Sequence, residues 1–561
     1  MKTIFKKFSA IVLAAVMVLA MCTVCAFADS DVAGTSYPQP TDTETITVKE
    51  VEAGATVTAY HVVKAQYVDG VGFEKYVAVD GTNIKDPVEP TATEIQNIAA
   101  NISNGTLITL ESTPLTYNTD EKTYTASVTP GYWLVLVTGG NTSKIYNPMI
   151  AGVYYSVSGS DNTMVSDPID ASKKWSLLPG TAYEKSVDVT TTKTIVGGDG
   201  KTSDGTSINT GADAAKDDYV QFKIESTIPA YTSNYKNVTY TINDTLTGGL
   251  GVVINDTYKM TVTVGGQPVD AADNTYSYIT GAVESEDDPS QSLTIDFASN
   301  YILTHPGQKV VVTYYAKLYD VDGLATNMDA NKNTANITYT NDPTVKEDGT
   351  TNTTTTPDST TYHYTFEIDG DLSGIIEIEG NKETTEITKT GTETWTDKAK
   401  HITEKQPLEG AEFTLTNDAT GKVYTTTTTE SGAMNFKGLD AGTYTLKETK
   451  APSPYTVNKK EIKVVISATY NENGTLNTYE VTVDGVKTGS YTAVYNETNI
   501  TELEKIILNK VDSETYDFKN TQISTLPSTG GMGTYIFTIV GIAVIAVAAG
   551  MVVVSRKKKN S

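Results

Sequence analysis

The sequence predicts an all-β chain of tandem β-sandwiches, with an N-terminal signal peptide and a C-terminal transmembrane helix at its ends. Between the ends, short runs alternate β-branched or aromatic residues with polar ones, as in Thr45–Val48, Gly131–Val137, Val310–Ala316 and Gly442–Lys447. Gly, Asn, Asp and Pro separate these runs, which indicates strands joined by turns. The chain also has 34 tyrosines and many threonines, which suit twisted, half-exposed sheets. Regular spacing of strands and turns favours sandwiches. A short helix is predicted at Thr93–Ala100.

The N-terminal end has the three-part build of a secretory signal peptide. Three lysines within the first seven residues are followed by the apolar run Ala10–Met21. The small-x-small triplet Ala26-Phe27-Ala28 then predicts cleavage after Ala28. The apolar run is well short of the roughly 20 residues that a transmembrane helix needs. We therefore expect residues 1–28 to be removed on export.

The C-terminal end carries a short polar string, an apolar stretch and a basic tail, in that order. The string consists of Leu526, Pro527, Ser528, Thr529 and Gly530. At ~1.5 Å per residue, the stretch Thr534–Val554 matches the ~30 Å hydrocarbon core of a bilayer, and the basic residues 556–559 would hold the cytoplasmic side. This order resembles the LPXTG sorting signal of Gram-positive surface proteins. The resemblance implies that a sortase cuts between Thr529 and Gly530 and transfers the threonine carbonyl to an amine; the alternative is an ordinary membrane anchor.

Composition excludes several classes of function. The formal net charge of the 561 residues is −26, which argues against binding nucleic acid through charge. Both cysteines, Cys22 and Cys25, lie in the predicted signal peptide, so the mature chain cannot form a disulfide. None of the four histidines sits in a metal-binding or nucleophile motif, so we expect neither an enzyme nor a cofactor. The acidic string Asp369–Gly374 lacks the remaining ligands of a calcium loop and is predicted to be a solvated turn.

The chain is long enough for several domains. We divide it into a signal peptide (residues 1–28), an N-terminal sandwich (29–178), a middle domain (179–380), a C-terminal domain (381–525) and the sorting region (526–561). Pro179-Gly180 marks the first junction. The low-complexity residues 351–361, TNTTTTPDSTT, are predicted to be a loop or linker. Residues Tyr362–Ile368 either finish the middle domain or begin the next one.

Two strings of the C-terminal domain, Pro407–Leu415 and Gly442–Pro452, resemble the B-type domain of the collagen adhesins, and the second is like the E-box of Gram-positive pilins. In that family a lysine of the first strand and an asparagine of the last strand condense into an intramolecular isopeptide bond, with the E-box glutamate as promoter. The resemblance assigns three residues to this bond: Lys389, Glu448 as promoter, and Asn520. Lys382 remains possible as the lysine.

This chemistry has a physical basis that does not depend on the family. A lysine in an apolar core has its ammonium form disfavoured, so its pKa falls and a neutral nucleophilic amine becomes available. A buried carboxyl shifts in the opposite direction. Kept protonated, Glu448 would donate a hydrogen bond to the amide oxygen of Asn520 and relay protons as ammonia leaves. The alternative is that Glu448 is a solvent-facing charge.

Strings of the second domain resemble the middle domain of major pilins, in which the promoter is an aspartate: Asp188–Val196, Phe222–Tyr231, Tyr240–Leu246 and Asn333–Asn341. The resemblance assigns Lys193 as the lysine and Asp244 as the promoter. By period-two alternation, Asn333 and Asn341 share one face of the last strand, whereas Asn336 points the other way. We take Asn333 as the acceptor, and Asn341 remains open.

Upstream of these strings, Trp175 is followed by Ala182-Tyr183-Glu184-Lys185-Ser186. The combination is similar to the pilin motif, whose lysine attacks the sortase-bound threonine of the next subunit. The resemblance makes Lys185 the polymerising nucleophile. The string has Glu184 where proline is usual, and its spacing from the tryptophan is one residue longer. The alternative is an exposed linker lysine.

In the first domain, Tyr146–Ile150 looks like part of a pilin N-terminal domain, and no convincing lysine, acid and asparagine trio is present. Together these resemblances imply a secreted, wall-anchored major pilin with immunoglobulin-like domains, joined head to tail through Thr529 and Lys185 and supporting adhesion. Its partners would be a pilus-class sortase, identical subunits, peptidoglycan, and a host surface ligand or minor pilins. The alternative is a monomeric wall-anchored adhesin that uses the same cross-linked domains as a stalk.

Overall fold

The computed structural model describes residues 37–107, 109–139, 144–157, 163–169, 174–184, 186–198, 210–283, 288–346, 349–370, 372, 376–378, 385–392, 405–521 and 532–557. The predicted signal peptide lies outside these residues. The chain divides into unit 1 (residues 1–212, 216–325 and 330–363) and unit 2 (213–215, 326–329 and 364–561). Strands predominate in both units, which confirms the all-β class.

Unit 1 begins with a sandwich that we call the first sandwich. Its strands are β1 (Glu44–Lys49), β2 (Thr56–Val68), β3 (Gly72–Ala78), β4 (Ser112–Pro114), β5 (Thr116–Asn118), β6 (Thr123–Val128), β7 (Gly131–Thr138), β8 (Lys144–Tyr146), β9 (Met149–Val157), β10 (Trp175–Leu178), β11 (Gly180–Tyr183) and β12 (Ser186–Asp188). The helices within the described residues are α1 (Ala92–Ser103), α2 (Ser299–Thr304), α3 (Met532–Lys557) and a 3-10 turn (Ala271–Asp273).

Two facing sheets enclose the core of the first sandwich. One has the order β11-β1-β6-β5, and the other has the order β10-β9-β7-β2-β3 with β4 paired to β2. Side chains of β7 alternate between two cores. Trp133, Val135 and Val137 face the core between the sheets, whereas Leu134 and Leu136 face an outer core. Because both faces of β7 are covered, its sequence is a nearly continuous apolar run.

Helix α1 contributes to the outer core. The Thr91 hydroxyl accepts a hydrogen bond from the Glu94 backbone N–H, and the Glu94 carboxylate accepts one from the Thr91 backbone N–H at 2.8 Å. This reciprocal capping box satisfies two donors that a helix N-terminus otherwise leaves unpaired. Ile95 and Ile98 bury the apolar face of the helix. The helix predicted at Thr93–Ala100 is therefore confirmed.

The second sandwich follows in unit 1. Its strands are β13 (Thr191–Gly198), β14 (Gly211–Asp213), β15 (Tyr219–Thr227), β16 (Tyr240–Leu246), β17 (Leu250–Val253), β18 (Thr261–Val264), β19 (Gln267–Val269), β20 (Tyr276–Thr280), β21 (Ser292–Phe297), β22 (Lys309–Leu318), β23 (Asn331–Val345), β24 (Thr351–Thr355) and β25 (Ser359–Tyr364). One sheet has the order β13-β15-β22-β18-β19, with β17 beside β22. The other has the order β14-β25-β23-β16-β21-β20, with β24 beside β23.

Unit 2 carries the remaining strands of the described residues. They are β26 (Phe366–Ile368), β27 (Ile376–Ile378), β28 (Ile387–Thr392), β29 (Lys405–Pro407), β30 (Glu412–Asn417), β31 (Val423–Thr427), β32 (Phe436–Leu439), β33 (Gly442–Lys450), β34 (Ile462–Tyr470), β35 (Leu476–Val483), β36 (Val486–Tyr495), β37 (Leu503–Leu508) and β38 (Tyr516–Thr521). The large sheet has the order β27-β37-β36-β35-β34-β33-β30-β31. A small sheet has the order β29-β28-β38, in which β28 and β38 run parallel.

The loop or linker predicted at residues 351–361 is wrong. Strands β24 and β25 occupy most of this segment, and both pair with β23. Threonine is β-branched and favours strands, so a threonine-rich string can form a sheet edge despite its low complexity. Hydroxyl contacts cross these pairs, at 2.9 Å between Thr334 and Thr360 and at 2.8 Å between Thr340 and Thr351.

The predicted domain boundaries at residues 178 and 380 stay predictions. Strand pairing indicates where the chain passes from one group of strands to the next. Strands β11 and β12 pair with β1 and β8, so the chain as far as Asp188 packs with the first sandwich. This pairing favours a first junction after Asp188. Strand β26 pairs with β32 in unit 2, so Phe366–Ile368 lies with the C-terminal strands.

The stretch predicted to cross the membrane lies within helix α3. Among the residues that the structure describes, no helix is both long enough and apolar enough to span a bilayer.

Asn331 braces the start of β23. Its side-chain oxygen accepts hydrogen bonds from the backbone N–H groups of Gly249 at 2.8 Å and Ala325 at 3.1 Å. Its side-chain nitrogen donates to the carbonyls of Ala325 at 2.9 Å and His363 at 3.2 Å. Gly248, with φ of +67°, passes so close that an added Cβ would lie 2.2 Å from the Asn331 oxygen. The buried amide thus fixes the first residue of β23 against three segments of chain.

Replacing Asn331 with alanine should destabilise unit 1 by about 2–4 kcal/mol, because it leaves buried backbone donors and acceptors without partners. The measurement is the unit 1 transition in differential scanning calorimetry of the mature chain. The control is Asn336→Ala, since Asn336 is half-exposed on the same strand and bonds to Asp358 at 2.8 Å. Equal transition temperatures for the two variants would contradict a stabilising role for the Asn331 side chain.

Candidate functional site

Four polar side chains meet inside the second sandwich, and we call them the middle cluster: Lys193, Asp244, Tyr314 and Asn333. Lys193 on β13 and Tyr314 on β22 belong to one sheet, and the other two lie on β16 and β23 of the facing sheet. Each occupies an inward position of its strand, where exposure is 1% for Lys193, 2% for Asp244 and 0% for Asn333 and Tyr314. The three residues assigned by resemblance are therefore brought together.

Hydrogen bonds connect the whole middle cluster. Lys193 Nζ lies 2.6 Å from Asp244 Oδ1 and donates to the Tyr314 hydroxyl at 3.0 Å. The Tyr314 hydroxyl donates to Asp244 Oδ2 and accepts from Asn333 Nδ2 at 2.7 Å. The Phe222 ring lies under the lysine, with Nζ 5.0 Å from its centroid. The amine, the acid and the amide thus lie together in the buried interior of the second sandwich.

Burial shifts the ionisation of both charged groups toward their neutral forms. Desolvation lowers the pKa of Lys193 to about 8, against the opposing effect of the Asp244 charge. Desolvation also raises the pKa of Asp244, against the opposing effect of Lys193. A proton can therefore pass from the ammonium to the carboxylate, which leaves a neutral amine and a neutral acid. A neutral amine beside a primary amide is the reactant pair for an amide exchange that releases ammonia.

The middle cluster contains Asn333 and not Asn341. Asn341 lies eight residues further along β23, about 26 Å away at ~3.3 Å per residue. It is half-buried, and its backbone carbonyl accepts from the Tyr235 hydroxyl at 3.2 Å. Asn336 points to the opposite face, where it bonds to Asp358, as the alternation predicts. Lys193 and Asn333 share the Tyr314 hydroxyl as a hydrogen-bond partner, which favours Asn333 as the acceptor.

A second cluster lies in unit 2, and we call it the C-terminal cluster: Lys389, Glu448 and Asn520. These residues lie on β28, β33 and β38, and their exposure is 0%, 2% and 1%. Glu448 is therefore a core residue, which excludes the alternative of a solvent-facing charge. Lys382, the alternative lysine, lies outside the described residues.

The acid of the C-terminal cluster contacts the amide directly. Asn520 Nδ2 donates to Glu448 Oε1 at 2.8 Å, and the Asn458 backbone N–H donates to Glu448 Oε2 at 2.6 Å. Lys389 Nζ lies 3.6 Å from Glu448 Oε1 and donates to the Phe518 carbonyl at 3.0 Å. Desolvation lowers the pKa of Lys389 to about 8. The expected bond from Glu448 to the amide oxygen is not the arrangement found, because the amide nitrogen faces the carboxylate.

The predicted polymerising lysine, Lys185, lies outside the described residues, and its neighbours are held on both sides. The Glu184 N–H donates to the Lys49 carbonyl at 3.1 Å, a bond that a proline could not make. The Glu184 carboxylate lies 2.6 Å from Lys144 Nζ and accepts from the Ser186 hydroxyl. Glu184, the residue that departs from the pilin motif, thus bonds to Lys49, Lys144 and Ser186. The string from Leu526 to Gly530 also lies outside the described residues.

The sequence predicts a solvated turn at Asp369–Gly374, and this prediction is wrong for Asp369. The Asp369 carboxylate accepts hydrogen bonds from the backbone N–H groups of Ile387 at 3.0 Å and Met434 at 2.6 Å. Its own N–H donates to the Glu386 carboxylate at 2.8 Å, and the Tyr491 hydroxyl donates to the same carboxylate. In the described part of the chain, no group of three or more His, Cys, Asp or Glu side chains could hold a metal ion.

Sequence reasoning missed Tyr314. The alternation in Val310–Ala316 predicts a strand, and Tyr314 falls on its buried face with Val310 and Val312. The signal that could have found it is the hydroxyl, since a buried tyrosine needs a hydrogen-bond partner. Nothing in the sequence indicates that this partner is Asp244, because the two residues belong to different sheets.

Comparisons with known proteins match separate parts of the chain. Residues 41–186 match the T6 antigen Ig-like domain, residues 396–483 match a prealbumin-like fold domain, and residues 519–561 match the LPXTG cell wall anchor motif. The last match includes the string from Leu526 to Gly530. The chain is therefore an LPXTG protein that is anchored to the cell wall and displayed at the surface.

Similarity to other proteins extends over most of the chain. The trypsin-resistant surface T6 protein of Streptococcus pyogenes serotype M6 is 23% identical over 563 residues, which cover 92% of this chain and 95% of that protein. The solved T6 backbone pilin of serotype M6 Streptococcus pyogenes is 19% identical, with a TM-score of 0.55 over 87% of this chain and 100% of that one. The full-length major pilin SpaD of Corynebacterium diphtheriae is 15% identical, with a TM-score of 0.39 over 87% and 99%. The chain thus shares the fold of the T6 pilin.

The paired acids Asp369 and Glu386 should make unit 2 less stable as the pH rises. Burial raises the pKa of both carboxyl groups, so the folded state holds protons that the unfolded state releases near pH 4. Stability from these protons is complete below about pH 4 and is lost as the pH rises through the folded pKa values. In Glu386→Gln, the unit 2 transition temperature measured by calorimetry should fall less between pH 5 and pH 8.

The control for this prediction is Glu430→Gln, because Glu430 is an exposed acid in the same unit. It should keep the pH dependence of the unmodified chain. An identical pH dependence in Glu386→Gln and Glu430→Gln would refute the coupling.

Proposed function

We propose that this chain is the backbone subunit of a covalently polymerised pilus, with a Lys193–Asn333 isopeptide bond in the middle domain and a Lys389–Asn520 bond in the C-terminal domain. The observation that carries the proposal is the burial of two lysines, each beside an acid and an asparagine. The predicted mature chain has no cysteine and so cannot form a disulfide, and these clusters hold the reactants for another covalent link. The likeness to a T6 backbone pilin agrees with this role.

Polymerisation uses the C-terminal sorting string and a lysine near the junction of the first two domains. A pilus-class sortase cleaves between Thr529 and Gly530 and transfers the threonine carbonyl to Lys185 of an identical subunit. The last subunit of the polymer is joined to peptidoglycan instead. The residues on either side of Lys185 are bonded within the first sandwich, Glu184 to Lys49 and Lys144, and Ser186 to Glu184. Minor pilins or a host surface ligand would be further partners of the fibre.

Each internal bond would close a long loop of chain. If the chain-entropy estimate for disulfides applies, closing a loop of this length stabilises the folded state by about 5 kcal/mol. The mechanical effect is larger, because chain between the two linked residues cannot extend under tension. A fibre that carries load along its length gains most from such bonds, which is why the two clusters favour a pilus backbone.

Polymerisation predicts a ladder of high-mass species when wall extracts are boiled in SDS and probed for this protein. Lys185→Ala should abolish the ladder, because the acceptor amine is missing, while leaving the monomer anchored to the wall. The matched control is Lys75→Ala, which removes an exposed lysine of the first sandwich and should keep the ladder. A single band from the unmodified protein would support a monomeric wall-anchored adhesin instead.

Cross-linking predicts a mature chain that is lighter than its sequence by ~34 Da, since each of two condensations releases ammonia of ~17 Da. In Asp244→Ala the bond of the middle domain should not form, so the mass deficit relative to that variant's own sequence should fall from ~34 to ~17 Da. Glu448→Ala should have the same effect through the bond of the C-terminal domain. Intact-mass measurement under denaturing conditions checks both variants whatever their stability. Asp296→Ala is the control, because Asp296 contacts Thr241 outside the cluster. If the measured mass of the unmodified chain equals the mass calculated from its sequence, neither bond has formed and both are rejected.

A further inference from the structure

We propose that Tyr314 is a catalytic residue of the middle cross-link, which passes a proton from Asp244 to the amide nitrogen of Asn333 as that nitrogen leaves. The inference rests on the Lys193–Asn333 bond of the proposed function and adds a residue to its chemistry.

The Tyr314 hydroxyl touches every other member of the middle cluster. It accepts from Lys193 Nζ at 3.0 Å and from Asn333 Nδ2 at 2.7 Å, and it donates to Asp244 Oδ2. Of the hydrogen bonds among these four described residues, none joins Asp244 to Asn333. The hydroxyl is therefore the connection between the acid and the leaving nitrogen.

The C-terminal cluster shows why the middle cluster needs this connection. Its acid is a glutamate, which is longer than aspartate by one methylene, or ~1.5 Å. Glu448 reaches Asn520 Nδ2 directly at 2.8 Å. The aromatic ring near Lys389 is Phe518, whose centroid lies 5.2 Å from Nζ and which has no hydroxyl. The shorter acid, Asp244, thus bonds to a hydroxyl that also bonds to the amide. The longer acid, Glu448, bonds to the amide directly.

The reaction balances in atoms and protons. Asp244 first takes a proton from the Lys193 ammonium, and the neutral Nζ attacks Cγ of Asn333. As the Cγ–Nδ2 bond breaks, Tyr314 gives its hydroxyl proton to Nδ2 and takes the carboxyl proton of Asp244. Nδ2 departs as ammonia, and Asp244 accepts a second proton from Nζ. The products are an Nζ–Cγ amide, ammonia, a neutral Asp244 and an unchanged Tyr314.

The surroundings suit a relay in which Tyr314 never carries a charge. Burial and the adjacent Asp244 carboxylate raise the pKa of the Tyr314 hydroxyl well above its usual value, so it gives up a proton only while it receives another. The Phe222 ring stacks on the Tyr314 ring with centroids 5.6 Å apart. Packing therefore holds the ring, and replacing Tyr314 with phenylalanine removes the hydroxyl while keeping the ring.

The test is Tyr314→Phe in the full mature chain, with the fraction of Lys193–Asn333 cross-linked peptide followed by mass spectrometry at intervals after purification. We expect the bond to form about 100-fold more slowly than in the unmodified chain, the size of a general acid–base contribution. The Lys389–Asn520 bond in the same molecules should be complete, because the C-terminal cluster does not use Tyr314. Complete formation of the middle bond in Tyr314→Phe, as fast as in the unmodified chain, would overturn the inference.

Two further variants separate chemistry from folding. Tyr339→Phe removes another fully buried hydroxyl of the second sandwich, one without a hydrogen-bond partner in the described residues, and should leave the rate unchanged. The double variant Tyr314→Phe/Asp244→Glu supplies the longer acid and should restore most of the bond, which a misfolded sandwich could not do. Equal slowing in Tyr339→Phe would also overturn the relay. Absence of the bond from the unmodified chain would instead reject the proposed cross-link itself.

Discussion

The burial of two lysine side chains is the constraint on which the rest of the arrangement depends. Lys193 and Lys389 are 1% and 0% exposed. A buried ion pair rarely stabilises a fold, because the loss of hydration offsets the attraction between the charges. The lysines make better physical sense as reactants. Desolvation weakens their hold on a proton, and the proposed condensation then replaces a buried amine with an uncharged amide.

Strand register brings the side chains around the buried lysine together. The middle cluster draws its four side chains from β13, β16, β22 and β23, each at an inward position. A slip of one residue on any of these strands would turn its side chain to the other face of the sheet. The brace at Asn331 lies two residues before Asn333 and fixes the start of β23 through four hydrogen bonds. The hydrogen bonds of Asn331 therefore also help to hold Asn333 in the middle cluster, where its side chain bonds to Tyr314.

Much of this could be predicted from the sequence. Period-two alternation predicts the strands, and it places Asn333 and Asn336 on opposite faces of β23. The family resemblance supplied Lys193 and Asp244. Two features could not be predicted from local sequence patterns. The threonine-rich segment 351–361 forms strands because β23 offers it a partner, which composition cannot show. Tyr314 contacts Asp244 only because two sheets face each other, and that contact depends on the tertiary fold.

The two proposed bonds differ in where they lie along the chain, and this difference determines what each could protect. Asn520 lies on β38, the last described strand before the sorting string, whereas β24 and β25 follow the strand of Asn333. Residues 334–363 therefore lie outside the loop closed by a Lys193–Asn333 bond. Strand β25 returns antiparallel to β23, with Thr361 opposite Asn333, so tension on its end would separate these pairs one at a time. With both bonds formed, the threonine pairs of β23, β24 and β25 are the part of the middle domain that tension would extend first.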